Sequence, residues 1–276
     1  MLEDLRAEYD PLLIQMACTV DELFARNGLP FLLSGRSKRT KSIIRKLQRP
    51  QNQGMDLSRM SDIVGVRVIM DSIENQNRAL DLLTNELVTK TVYDYRTAER
   101  LYRCIHVIVR TDQQLLEIQL RTLPQHLWAV ESEAFGEQVK EGRRSDRIQS
   151  YLTTLSKASQ HLDQGETLTD NQFADIPFVT ERTPLAGLFQ NLKRDFYRAT
   201  NHYTPHHSGN TFIVVFDNEL GQLLHEYSFP PTERSQAIDY YRRMTHSLSD
   251  ERFETLIFNS VSTEVLAVTH PRFFTR

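Results

Sequence analysis

Two strand-like segments constrain this chain most, Asp62 to Ile69 and Leu116 to Thr122, because each sets an acid a few residues ahead of an arginine within an otherwise apolar run. From Glu117 to Arg121 the residues alternate, so a period of two puts Glu117, Gln119 and Arg121 on one face and Ile118 and Leu120 on the other. A face of that composition either holds salt bridges or carries chemistry. With Asp62 at the mouth of the first strand lying beside it, two carboxylates and the guanidinium groups of Arg67 and Arg121 suit Mg²⁺ and a polyphosphate.

The rest of the sequence bounds what can surround that pair. At 276 residues the chain is long for one domain and short for two large ones, so a main domain with a smaller appendage is expected. Charged residues are 25% and hydrophobic residues 39%, an ordinary globular balance with no run of eighteen apolar residues. Met1 leads directly into Leu2, Glu3 and Asp4, without a basic and apolar leader, so a cytoplasmic protein without membrane partners is expected. Cys18 and Cys104 show no metal or disulfide spacing. The formal net charge of −3 argues against a protein built mainly to bind long nucleic acid. Within that near-neutral whole, Arg36, Lys38, Arg39, Lys41, Arg45, Lys46 and Arg49 follow one another without an acid. They form either a solvated helix face or a local site for nucleotide phosphates.

Periodicity predicts an amphipathic helix over 2–26, a short strand over 31–33, a helix over 40–48, a helical turn over 56–60, a strand over 63–70 and a helix over 73–87. Segments 91–97 and 102–110 are β-rich, and a turn over 111–114 makes an antiparallel hairpin with the Glu117 strand. Helices over 124–137 and 148–162 follow. The composition shifts between Gly165 and Pro184, where a boundary is expected. Beyond it come a helix over 185–197, a polar loop over 202–210, strands over 211–216 and 223–229, a helix over 232–245 capped by Thr232, and strands over 255–261 and 264–269. The fold class is therefore α+β: a main unit over 1–165, with helices on a mixed sheet, and a smaller α+β module over 175–276 that shows no catalytic motif.

The order of the basic segment from Arg36 to Arg49, the strand from Asp62 to Arg67, the segment from Tyr102 to His106 and the strand from Glu117 to Thr122 resembles the synthetase domain of RelA/SpoT-type alarmone synthetases, over roughly residues 30 to 135. The resemblance implies a nucleotidyltransferase-like sheet, and transfer of the β,γ-pyrophosphate of ATP to the 3′-hydroxyl of GDP or GTP with release of AMP. No histidine and aspartate signature of a hydrolase precedes it, so a small, hydrolase-less member is implied. Arg36 and Arg67 match the pair whose guanidinium planes clamp adenine, for which stacking and permanent charge suit arginine. Lys38, Lys46 and Arg49 match phosphate-binding cations. Asp62 and Glu117 match the acids that hold Mg²⁺, Glu117 also being placed to take the proton of the attacking hydroxyl. Tyr102 and His106 match the residues that stack on the acceptor base and approach its phosphates. Gln119 and Arg121 fall on the acceptor side, as an orienting amide and an electrostatic partner. Arg39 and Lys41 match no role.

The acceptor side departs from the family pattern of lysine, then glycine, tyrosine, serine and histidine. Leu101 stands for the glycine, Cys104 for the serine, and Arg100 or Arg103 would have to replace the lysine. The helix after Thr122 lacks the family's glutamate and histidine pair, for which His126 and Glu133 are candidates. Other acceptors stay open: the 3′ end of tRNA, with Lys140 to Arg147 as a weak basic surface, or an adenosine nucleotide, as in toxic members. An inactive nucleotide sensor is the reading from a different class. A homo-oligomer is compatible with all of these.

Overall fold

The computed structural model describes residues 2–38, 40–49, 57–96, 101–111, 114–135, 146–168, 185–201, 209–248 and 252–274. Arg39, the loop after Pro50, Arg100, the stretch from Lys140 to Arg144 and most of the expected boundary and of the polar loop after His202 lie outside the described residues, as does the side chain of Lys41.

Among the described residues eight strands form one mixed sheet. The chain enters with helix α1 (Leu2–Arg26), which stops at Asn27 and Gly28, where Gly28 takes a φ of +64° that favours glycine. Strand β1 (Phe31–Ser37), helix α2 (Thr40–Leu47), strand β2 (Val64–Met70) and helix α3 (Ile73–Glu86) follow. Helix α3 carries the chain to the outermost strand β3 (Thr89–Asp94), and β4 (Ile105–Arg110) returns it to β5 (Leu115–Thr122). Strand β5 inserts beside β2 in parallel, and the remaining pairings are antiparallel.

The even positions of β2, Val64, Val66 and Val68, point to one face with Ile118 and Leu120 of β5 and Val107 of β4. Leu13, Val20 and Phe24 of α1 and Ala79 and Leu83 of α3 cover that face and are themselves at most 2% exposed. At about 1.5–3 kcal/mol for each large apolar side chain removed from water, this layer holds the sheet flat against its helices. The opposite face therefore receives Gly65, Arg67 and Ile69. It is covered only in part, by α4 (Leu123–Ala134), α6 (Leu185–Asn201) and α8 (Thr263–Thr269), with Ile69, Leu123, Phe196 and Val268 in contact. Helix α5 (Asp146–Asp163) packs on α4 through Trp128, Leu152 and Leu155. No loop separates β5 from α4: Thr122 caps the helix through Gln125, whose side chain in turn accepts the Thr122 N–H.

Strands β6 (Asn210–Asp217), β7 (Gln222–Phe229) and β8 (Phe253–Ser260) continue the same sheet, giving the order β3-β4-β5-β2-β1-β8-β6-β7. The units expected over 1–165 and 175–276 thus share hydrogen bonds where Gly35 faces Asn259 and Arg36 faces Phe258. Helix α7 (Arg234–Ser247) covers one side of β6 and β8, and α8 with the short α9 (Pro271–Phe274) covers the other.

Three expectations are corrected. Segment 264–269 is helix α8 and not a strand: its short apolar run fits either period, and the Ser262 hydroxyl, accepting the Val265 N–H at 3.3 Å, starts a helix. Thr232 is not the N-cap of the following helix, because Pro230 and Pro231 impose a tight 3₁₀ turn over Pro231–Glu233 and the α-helix begins at Arg234. Tyr102 precedes β4 and does not lie in it.

The cap of α8 gives a direct test. Ser262→Ala is expected to lower the unfolding free energy by about 1 kcal/mol in urea titrations, and Ser262→Asp to retain most of it.

Candidate active site

The parallel register of β2 and β5 writes two rows across the open face. Gly65 faces Glu117 on one side and Arg36 on the other. Arg67 faces Gln119 on one side and Ser34 on the other, and Gln119 faces His106, which faces Tyr93. Gly65 has only hydrogen where its neighbours carry side chains, so the surface between Arg36 and Glu117 stays low. A Cβ there would sit 3.2 Å from the Glu117 carbonyl oxygen.

One end of this floor is cationic. The Lys38 N–H donates to the Ile63 carbonyl at 2.7 Å, which pins the residue after β1 against the residue before β2. The Lys38 ammonium then lies 2.5 Å from one Asp62 oxygen and that of Lys46, one helix away, 2.8 Å from the other. Burial pushes the Asp62 carboxyl up, but the two ammonium groups outweigh it and hold it below its ordinary value. Asp62 is thus a carboxylate at neutral pH. Arg36 is half-buried and Arg49 is exposed just beyond α2.

The other end is a hydrogen-bonded cluster around Glu117. Its two oxygens are held separately, one by the Gln119 amide at 2.6 Å and one by His106 Nδ1 at 3.1 Å. His106 Nε2 lies 2.7 Å from the Tyr102 hydroxyl, so Tyr102 reaches His106 although it lies outside the strand. The Tyr102 ring also meets Trp128 and Tyr95, at 5.8 and 5.9 Å between centroids. Burial pulls the His106 imidazole down, but Cys104 and Glu117 overrule it and push it up to about 9. Burial pushes the Glu117 carboxyl up, and His106 and Gln119 pull it below its ordinary value. A protonated imidazole beside an ionised carboxylate is the neutral-pH state. Asp62 acts on Glu117 in the opposite sense, as a like charge within electrostatic range. Two carboxylates so related, each with lone pairs to spare, fit a hard cation completed by substrate oxygens. Among the described residues no group of three or more His, Cys, Asp or Glu forms a cage of its own.

Arg67 lies on the same face but is deeper than the sequence suggests, its side chain being 11% exposed. It donates to the Thr269 carbonyl at the end of α8, 2.7 Å away, and lies 3.6 Å from Glu133. Burial pulls it down to about 10, with Arg121 adding repulsion. His126 and Glu133 do not form a substitute pair for the acceptor. The His126 imidazole is fully buried, donates to the Val268 carbonyl at 2.8 Å, and is pulled down to about 3 by burial and by Arg67 and Arg121. Arg103 cannot replace a phosphate-binding lysine, because it turns away to the Arg96 carbonyl, Ser156 and Gln160. Sequence reasoning named Gly65 only as part of a strand and left out Tyr95. The alternation of Tyr93 and Tyr95 leading toward the edge of the site was the available signal.

Comparison with known proteins bears on this geometry. Residues 35–136 match the family model described as the region found in RelA / SpoT proteins. The GTP pyrophosphokinase rsh of Brucella melitensis biotype 1 is 32% identical over 116 residues, 40% of this chain and 15% of that relative's length. GTP pyrophosphokinase YjbM of Bacillus subtilis (strain 168) is 25% identical over 144 residues, covering 48% of this chain and 68% of that one. The small alarmone synthetase 1 from Bacillus subtilis, solved bound to its product pppGpp, is alike in fold, with a TM-score of 0.50 and 21% identity over 57% of this chain and 90% of that one.

The raised imidazole has a measurable consequence for stability. Because the folded value lies near 9 and the ordinary value is 6.5, the His106 contribution is complete below about pH 6.5 and is lost as pH rises through about 9. Urea unfolding without divalent cations is expected to show a decline across that window, of up to about 3 kcal/mol. His106→Gln should flatten it.

Proposed function

We propose, for a chain that carries a RelA/SpoT-type domain, an ATP-dependent 3′-pyrophosphokinase. It transfers the β,γ-pyrophosphate of ATP to the ribose 3′-hydroxyl of GDP or GTP and releases AMP. The observation that carries this reading is Asp62 just ahead of β2 and Glu117 opposite Gly65 on β5, with two ammonium groups on the first carboxylate and an imidazolium on the second.

The chemistry follows from what these groups do. Lys38 and Lys46 now neutralise Asp62, and a triphosphate is the stronger competitor for both, with Arg49 adding charge at the exposed end. With the phosphates on the lysines the Asp62 oxygens would be free, and Asp62 and Glu117 are the residues that would hold Mg²⁺. Mg²⁺ bound there would neutralise the β- and γ-phosphates. Arg36, half-buried, flanks this end as one face of the adenine clamp, while Arg67, the second guanidinium that the resemblance implies, is held in the layer beneath by the Thr269 carbonyl and Glu133. The acceptor ribose enters on the Glu117 side, walled by Tyr102 and His106. Its 3′-oxygen attacks the β-phosphorus, the bond from that phosphorus to the oxygen bridging the α-phosphate breaks, and the hydroxyl proton passes to Glu117. AMP leaves with the bridging oxygen. Because phosphoryl chemistry needs little covalent help, placement and charge neutralisation supply most of the acceleration.

Incubation of the purified chain with Mg²⁺, γ-labelled ATP and, separately, GDP, GTP, unlabelled ATP and deacylated tRNA should yield AMP and a labelled guanosine product in the first two arms. Label carried by tRNA or by adenosine nucleotides alone would transfer the reading to those acceptors. Nucleotide binding by calorimetry without AMP in any arm would favour an inactive sensor. Glu117→Gln is expected to lower turnover by about 10²–10⁴-fold while ATP still binds.

A further inference from the structure

Gln119 and Arg121 share the face of Glu117, yet Arg121 is only 3% exposed and lies beneath the residues that would meet an acceptor. One of its nitrogens, Nη2, makes two hydrogen bonds, to the Gln119 side-chain oxygen at 3.0 Å and to the Tyr102 hydroxyl at 3.3 Å. Each bond begins an arm that ends on Glu117. The shorter arm runs through Gln119, whose amide donates to one Glu117 oxygen at 2.6 Å. The longer runs through Tyr102 and His106, 2.7 Å apart, to the other oxygen at 3.1 Å. The five side chains close a ring.

The donors and acceptors explain why an arginine closes it. A guanidinium has no acceptor, so the Gln119 oxygen must face Arg121, and the Gln119 N–H₂ must then face Glu117. A residue that could also accept would leave the amide free to flip and present its oxygen to the carboxylate. The arginine is also held at a cost. Its Nε and Nη1 are buried without a hydrogen-bond partner among the described residues, and its ring contact is a guanidinium 5.8 Å from the Tyr102 centroid. Buried, incompletely satisfied charges stabilise a fold less than apolar side chains of the same volume. Fold stability alone does not account for this residue.

We propose that Arg121 is a positioning residue, which fixes both oxygens of the Glu117 carboxylate from a distance through Gln119 and through Tyr102 with His106. It does not touch the acceptor. This role rests on the transfer reaction proposed above, in which Glu117 takes the hydroxyl proton.

The test uses the full chain with Arg121→Met and Arg121→Lys. For Arg121→Met the urea midpoint is expected at or above that of the parent chain, with KM for ATP and for the guanosine nucleotide within about twofold and kcat lower by about 10²-fold, the cost of a small misplacement. Arg121→Lys, which keeps a donor but can serve one arm at a time, should recover part of that loss. A rise in KM for the acceptor with kcat retained would overturn the assignment, as would a lowered midpoint with kcat per folded molecule unchanged. A methionine variant too unstable to assay leaves the lysine variant to decide by the same split between KM and kcat. A measurement independent of turnover separates this idea from the reaction itself. Arg121 and Glu117 are about 13 Å apart along the strand, a separation at which effects on stability normally add. Arg121→Met and Glu117→Gln, combined, should shift the urea midpoint by less than the sum of the single shifts. Additive shifts would overturn the ring even in an active enzyme, and an absence of AMP release with non-additive shifts would overturn the reaction and leave the ring.

Discussion

The parallel pairing of β2 with β5 is the constraint on which the site depends. A slip of one residue would exchange the faces of every side chain on β5, sending Glu117, Gln119 and Arg121 into the apolar layer under α1. Val64, Val66 and Val68 on one strand and Ile118 and Leu120 on the other hold the register by burial. The apolar side of the sheet, which touches no ligand, therefore decides that Gly65 lies between Arg36 and Glu117. The hairpin of β4 and β5 adds a second registration, setting His106 opposite Gln119.

On that frame the electrostatics divide into a cationic end at Asp62, a neutralised end at Glu117 and a deep cationic layer. Two lysines outnumber Asp62 by one charge, and Glu117 balances one imidazolium. Below them Arg67 and Arg121 stay charged, with Glu133 as an acid within reach of both. Their presence explains two silent histidines. His126 and His270 are buried first of all, and the neighbouring guanidinium groups add to the penalty on protonation, so both stay neutral and serve as fixed hydrogen-bonding groups.

Much of this was legible in the sequence because it is local. The alternation from Glu117 to Arg121 and the antiparallel pairing of β4 with β5 each depend on a few adjacent residues, and both follow the period and spacing of the sequence. What was not legible depends on contacts between distant segments. Nothing in the run from Val265 to Val268 distinguishes a strand from a helix until Ser262 is seen to cap it. Arg103 looked available because its partners, Ser156 and Gln160, come from a helix some fifty residues later. The depth of Arg67 was hidden for the same reason, since its acceptor is a backbone carbonyl that carries no side-chain signature. Tyr102 lies ahead of β4 and meets His106 through its hydroxyl, a contact that the β-rich composition of 102–110 does not show.

The bond from Arg67 to the Thr269 carbonyl joins the open face of the sheet to the last turn of a helix two hundred residues later. It is accompanied by Ser34 and His270, 3.3 Å apart, and by the short pairing of β1 with β8. The C-terminal region is consequently not an interchangeable cassette. A chimera that grafted another module after residue 201 would have to supply a strand in register with Gly35 and Arg36, and also a helix end that presents a carbonyl to a buried guanidinium. A substitution at any of these points in one half of the chain changes what the other half must supply.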